Sequence, residues 1–244
     1  MNAYPARPTY SSLLHAWVSR AWLQIAYLAA KWFFRLCCRV HVAGIEHIPT
    51  HGGVVFVSNH VSVFDTLLLP YTVLETRKAS IVWAPAKAEL FQWRLMRALL
   101  PPLGVFPVRR GQHDRQAMRR MIQHMRTEAM MLFPEGTRSR DGHLQDGKRP
   151  VGKLIYAAQP VVLPTAIVGT NRILAHLQWP FRGRAPVSIR YGPPLDVRHY
   201  YAQPDTKDTA MAIVREVMHA IALQLEVATL DPRHASRAKL TGHV

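Results

Sequence analysis

The sequence predicts an α/β fold: a largely parallel central sheet flanked by helices, preceded by an N-terminal amphipathic helical segment. Three observations predict it. Short apolar runs with β-branched residues recur along the chain. Helix-period patterns separate them, and that alternation marks parallel strands joined by crossover helices. The 244 residues are 49% hydrophobic, enough for one large core that needs neither a disulfide nor a metal staple. The two cysteines, Cys37 and Cys38, are adjacent and make no disulfide framework, which points to a reducing compartment.

The first element runs from Ser11 to Cys38 without Pro or Gly and reads as helix, continuous or broken once. On a helix, Arg20, Gln24, Lys31 and Arg35 fall within about 60° of one another. This narrow cationic stripe faces a wide apolar surface that carries Trp17, Trp22 and Trp32, three of the six tryptophans. The pattern suits a helix lying in a membrane interface; the competing reading is a helix of the soluble core. The uncharged run from Ala21 to Ala30 is far short of the ~20 residues that cross a bilayer. The recurrence of basic residues in and after it speaks against a signal peptide. Residues 1–40 contain Arg7, Arg20, Lys31, Arg35 and Arg39 and no acid. The division expected is therefore a helical membrane-association segment, 1–40, an α/β domain, 41–230, and a polar basic tail, 231–244.

Strands follow in order. Val54–Val57 reads as a buried strand, Ile81–Trp83 and Val105–Phe106 as weaker ones. Ala129–Phe133 is a buried run that Pro134 ends, and Val161–Leu163 and Val187–Tyr191 complete the set. Met118, Met121, Ile122 and Met125 recur at helical spacing, as do Val214, Val217, Met218, Ile221 and Leu225. The methionine stripe reads as core packing.

Two segments carry chemistry. His60 leaves the Val54–Val57 strand at its carboxyl end, where α/β sheets place reactive groups. Asp65 follows five residues later. If the chain turns into a helix there, Asp65 reaches one imidazole nitrogen, fixes the tautomer and leaves the other nitrogen as a general base toward a hydroxyl. A structural histidine with an aspartate cap is the plainer alternative. The second segment is Phe133-Pro134-Glu135-Gly136-Thr137-Arg138-Ser139. Gly136 lets the backbone approach a ligand, Thr137 offers a hydroxyl, and Arg138 offers a bidentate fork for phosphate. Glu135 either holds the loop or accepts from a substrate hydroxyl. A surface ion pair of Glu135 with Arg138 would contribute little.

Taken together, the two segments resemble the glycerophospholipid acyltransferase family, of the bacterial lysophosphatidate acyltransferase type. Its N-H-x-S-x-x-D motif stands as Asn59, His60, Ser62 and Asp65, and its F-P-E-G-T-R-S motif as Phe133–Ser139, about 70 residues on. Lys87-Ala88-Glu89-Leu90-Phe91 resembles the family's K-x-E-L-F segment. Gly104–Gly111 resembles its G-x-x-x-V-D-R-G segment, with Arg109 in place of the usual Asp and Arg110 at the usual Arg. Val162–Ala166 resembles the proline-containing fourth block.

The resemblance implies transfer of a fatty acyl chain from a thioester, acyl-CoA or acyl carrier protein, to the free hydroxyl of 1-acyl-sn-glycerol-3-phosphate, giving phosphatidate. Another lysophospholipid acceptor, or transacylation, is the enzymatic alternative; a non-catalytic membrane-binding module is the alternative from another class. His60 is implied as general base and Asp65 as its orienter, with no acyl-enzyme. Asn59 and Ser62 belong to the implied substrate site, Ser62 more as a hydroxyl bonding its own turn than as a nucleophile. Lys87, Arg110 and Arg138 are implied to hold the acceptor phosphate, and Glu135, Gly136 and Thr137 to shape the glycerol site. No metal and no cofactor are expected. His47 and His51 are four apart, but Pro49 and Gly52-Gly53 place them in a loop.

Charge fits this reading. There are 31 Lys+Arg against 15 Asp+Glu, a formal +16. Such an excess suits nucleic acid or an anionic membrane surface. The cations sit among large apolar residues and phosphate-site motifs, including Arg115, Arg119, Arg120 and Arg126. Anionic lipid is therefore the expected partner and nucleic acid is not. The expected location is the cytoplasmic face of a membrane, interfacial and monotopic.

Overall fold

The computed structural model describes residues 10–77, 80–109, 111, 114–178 and 183–230, with side chains from residue 20 onward. The expectations for Arg110, the Trp17 side chain and the 231–244 tail lie outside the described residues.

Helix α1 spans Tyr10–Cys37 as one unbroken helix. Strand β1, Cys38–Ala43, follows it directly. The sheet thus begins inside the stretch expected to be helical, and the expected division at 40/41 falls within β1. The other strands are β2 (Val54–Ser58), β3 (Val82–Lys87), β4 (Val105–Val108), β5 (Ala129–Leu132), β6 (Val161–Val168) and β7 (Ala185–Tyr191). They form a seven-stranded sheet in the order β1-β7-β6-β2-β5-β3-β4. Every neighbouring pair is parallel except β6 and β7.

Strand β2 is central because its residues, Val54, Val55, Phe56 and Val57, are all fully buried. A continuous apolar run with no polar face is what a parallel strand covered on both sides requires. Side chains alternate across it. Val54 and Phe56 join a core with Phe34 of α1 and with Leu68, Leu69 and Val73 of α2 (Asp65–Thr76). Val55 and Val57 join the opposite core. That second core is closed by α4 (Arg115–Thr127), α5 (Arg149–Ala158) and α8 (Lys207–Leu230). Met121 and Met125 are buried there, so the methionine stripe of α4 is packing. Of the basic face of α4, Arg126 donates to the Ala157 carbonyl and Arg120 lies over the Phe106 ring. The remaining helices are short: α3 (Arg94–Leu99), α6 (Ile173–Gln178) and α7 (Arg198–Tyr201).

Helix α1 carries three stripes. Leu23 and Phe34 are buried, with Ala30, Phe33 and Cys37 packed on the core. Arg20, Gln24 and Arg35 are exposed beside them. Ile25, Leu28, Trp32 and Leu36 form a third, exposed apolar stripe about 80° wide. The helix is thus neither wholly core nor wholly free: one side packs on the domain and another shows large apolar groups to solvent.

Candidate active site

Strands β2, β5 and β6 are parallel neighbours, so their carboxyl ends open on one edge of the sheet. The segments expected to carry chemistry follow two of these strands. Asn59 begins the first. Its side-chain N–H donates to the Ile167 carbonyl and its side-chain oxygen accepts from the Ile167 N–H, both at 2.8 Å. The amide thereby continues the β2–β6 ladder one step past the end of β2. Asn59 is 3% exposed, and this bonding gives it a positioning task at the start of the loop that carries His60.

After Asn59 the chain turns into α2, and Asp65 is the first residue of that helix. Its carboxylate is fully buried. Oδ2 accepts from His60 Nδ1 at 2.9 Å and from the Val61 and Ser62 N–H groups at 2.8 Å each. Oδ1 accepts from the Thr170 hydroxyl. Amide donors and the positive end of the α2 dipole make a buried negative charge tolerable at this position. With the carboxylate on Nδ1, that nitrogen carries the proton and Nε2 is the acceptor. The ring stacks on Phe133 at 3.9 Å between centroids and 14° between planes. It is fixed in rotation by both contacts, yet its side chain keeps 13% exposure. Ser62 Oγ accepts from the Phe64 N–H at 3.3 Å, so its hydroxyl braces the turn.

Phe133 and Pro134 carry the chain out of β5 into the second segment. Gly136 has φ +72°, a left-handed conformation that favours glycine, and its N–H closes the turn onto the Phe133 carbonyl at 3.0 Å. Glu135 is 1% exposed. Its Oε1 accepts from the His60 N–H at 2.7 Å and its Oε2 from the Gln145 N–H at 3.0 Å. Burial pushes its carboxyl above the ordinary value, while the two amide bonds pull it partly back. Glu135 holds the loop, which is one of the two roles the sequence left open. Each oxygen accepts one backbone amide, so both are engaged in holding the loop. Two residues beyond Arg138's own neighbour Thr137, the pattern repeats: the Ser139 N–H donates to the His60 carbonyl at 2.7 Å. Both backbone groups of His60 are therefore held by the 135–139 segment.

Thr137 and Arg138 stand exposed on the rim, and Arg138 has no hydrogen-bond or ion-pair partner among the described residues. Lys87 is exposed at the carboxyl end of β3, two strands from β2, roughly 10 Å across the sheet. Pairing of Lys87 with Val108 brings the segment after β4 beside it. Arg109, the departure from the family pattern, is exposed, and its N–H donates to Asp114, the cap of α4. His47, which ends a short 3-10 helix (Ile45–His47), bonds the Tyr191 carbonyl, and His51, in the loop beyond, bonds Thr50. Burial pushes the Cys38 thiol up to about 12, so it supplies no thiolate nucleophile near neutral pH. Thr170 escaped the sequence reading. The Gly169-Thr170 step that ends the β6 run was its only signal.

Residues 39–168 match the family model described as Acyltransferase. A 1-acyl-sn-glycerol-3-phosphate acyltransferase from Limnanthes douglasii is 28% identical over 169 residues, covering 64% of this chain and 54% of that protein. One of the same name from Borreliella burgdorferi is 29% identical over 136 residues, covering 54% and 52%. The chain thus spans about half the length of these curated relatives. The alpha form from Mus musculus is 26% identical over 205 residues, covering 82% and 67%. Among solved structures, the 1-acyl-sn-glycerophosphate acyltransferase PlsC from Thermotoga maritima matches with a TM-score of 0.57 and 22% identity, over 85% of this chain and 81% of that one. That likeness concerns the fold.

Proposed function

The chain belongs to the acyltransferase family, and from that premise we propose that it moves a fatty acyl chain from a thioester to the free hydroxyl of 1-acyl-sn-glycerol-3-phosphate, giving phosphatidate. The observation that carries the reading is the fully buried Asp65 carboxylate bonded to His60 Nδ1, which leaves Nε2 as the proton acceptor of a partly open ring. In this reading Nε2 takes the acceptor's hydroxyl proton as the oxygen attacks the thioester carbonyl. The C–S bond then breaks, and the departing thiolate takes the proton from the imidazolium. Arg138 and Lys87 on the rim hold the acceptor phosphate, with Arg110 as a third cation. A fixed headgroup converts binding into orientation of the hydroxyl.

The test is an assay of purified protein with acyl-CoA or acyl carrier protein thioesters and a panel of lysophospholipids. The expected result is highest kcat/KM with 1-acyl-sn-glycerol-3-phosphate and a KM for that acceptor raised roughly 10- to 100-fold by Arg138→Ala, the scale of one charge-assisted bond. Preference for a lysophospholipid with another headgroup would reject the acceptor assignment.

We further propose that the protein works on the anionic, cytoplasmic face of a membrane. Support comes from the exposed apolar stripe of α1 lying beside its cationic stripe, the arrangement that suits an interfacial helix. Among the described residues no helix is long and apolar enough to cross a membrane. Burying a large apolar side chain contributes about 1.5–3 kcal/mol. The double variant Trp32→Glu, Leu36→Glu is therefore expected to bind anionic vesicles at least about tenfold more weakly in a sedimentation assay. Unchanged binding would reject the interfacial role of α1.

A further inference from the structure

We propose that Thr170 is a positioning residue of the acyl-transfer site, acting through Asp65 on the orientation of His60. The proposal rests on the reading of His60 as the base, and it adds a residue outside the two recognised motifs. Thr170 is fully buried and lies one residue past Gly169, itself one past the end of β6. Its hydroxyl donates to Asp65 Oδ1. It is the sole donor to that oxygen among the described residues, whereas Oδ2 takes His60 Nδ1 and two backbone amides. The Asp65 carboxylate thus accepts four bonds, three on Oδ2 and one on Oδ1. Oδ2 sets the position of the carboxylate along the loop. Oδ1, held by Thr170 from the far side, sets its rotation, and with it the direction from which His60 Nδ1 is held.

The backbone delivers Thr170 with little freedom. Gly169 has φ +88°, and a Cβ there would lie 2.2 Å from the Pro186 carbonyl oxygen of β7. The turn out of β6 therefore hugs the antiparallel β7 strand, in a conformation that only glycine adopts without strain. Three residues before Thr170, Ile167 is bonded through both backbone groups to Asn59. Asn59 and Asp65 flank His60 in the chain, and both are tied to the same short stretch of β6 and its exit. The loop that carries His60 is thus pinned at either end by one strand, and Thr170 is the pin nearer the chemistry.

The test compares Thr170→Val, which keeps the shape and loses the hydroxyl, with Thr170→Ser, which keeps the hydroxyl. For valine, kcat is expected to fall on the order of tenfold, less than a general base itself supplies, with KM for the acceptor unchanged. Serine is expected to restore most of kcat. A second readout needs no substrate: the His60 Nδ1–H proton, followed by NMR, is expected to be slowly exchanging in the wild type and in Thr170→Ser and to broaden in Thr170→Val. A Thr170→Val protein with wild-type kcat and an intact Nδ1–H signal would overturn the proposal. So would serine impaired as much as valine with both melting temperatures equally lowered, the mark of packing alone. A wild-type protein without acyl transfer would reject the enzymatic reading instead, and the NMR comparison would still decide the Thr170 link.

Discussion

The His60→Ala protein is expected to fold normally and to lose kcat by on the order of 10²–10⁴-fold, the range that a positioned general base supplies. Both halves of this expectation follow from the site. The imidazole keeps 13% exposure and lies at the sheet edge, so its removal opens space to solvent and leaves the two cores intact. Asp65 loses one donor but keeps the Val61 and Ser62 amides and the Thr170 hydroxyl, so no buried charge is stranded. The backbone bonds of residue 60 to Glu135 and Ser139 do not depend on the side chain. What goes is the group that, in the proposed mechanism, takes the hydroxyl proton. Thioester cleavage measured beside a thermal melt checks both halves, and full activity in a folded variant would sink the mechanism.

The Glu135→Gln protein is expected to lose kcat by roughly 10- to 100-fold while its stability at pH 7 changes by less than about 1 kcal/mol. Two opposing effects set the small stability change. Glutamine offers one acceptor where Glu135 offers two, so either the His60 or the Gln145 amide loses its partner, a cost of about 1–3 kcal/mol. Against this, the substitution removes the cost of burying a charge, and that cost is what raises the carboxyl above its ordinary value. Activity has no such offset, because either lost bond loosens the segment that holds His60. The pH dependence has a definite sign. A carboxyl raised on folding contributes stability fully below its unfolded value, near 4.5, and loses it as pH rises through the folded value. Urea unfolding at pH 7 and pH 5 is therefore expected to show the wild type gaining on Glu135→Gln toward acid. Wild-type kcat in this variant would show that Glu135 positions nothing.

The strands at the centre of the sheet were legible because burial on both faces leaves nothing but apolar residues, as in Val54–Val57 and Met130–Leu132. The edge was not. In β1, Cys38 is buried, Arg39 is exposed and Val40–Ala43 are half-buried, and no Pro or Gly separates the strand from α1, so no local signal marks the change from helix to strand. Strands β6 and β3 run past where their apolar runs end, through Pro164 and Pro85. Each proline is tolerated because the neighbouring ladder does not need its N–H: β7 pairs only from Thr165, and β5 pairs only Val82 and Trp83. At the site, the His60–Asp65 pair was readable because its partners lie five residues apart. The roles of Asn59, Glu135 and Thr170 were not, because each is decided by a partner 75 to 108 residues away.

Those long separations bear on how activity is acquired. Asn59 meets Ile167 across 108 residues, and Asp65 meets Thr170 across 105. Neither clamp can close until β6 has docked beside β2, a contact with a large loop-closure cost that forms slowly. A nascent chain or a trapped folding intermediate can hold α2, with His60 and Asp65 close in sequence, and still lack an ordered base. Competence for chemistry is therefore a property of the completed sheet, and no partly folded chain has an ordered His60.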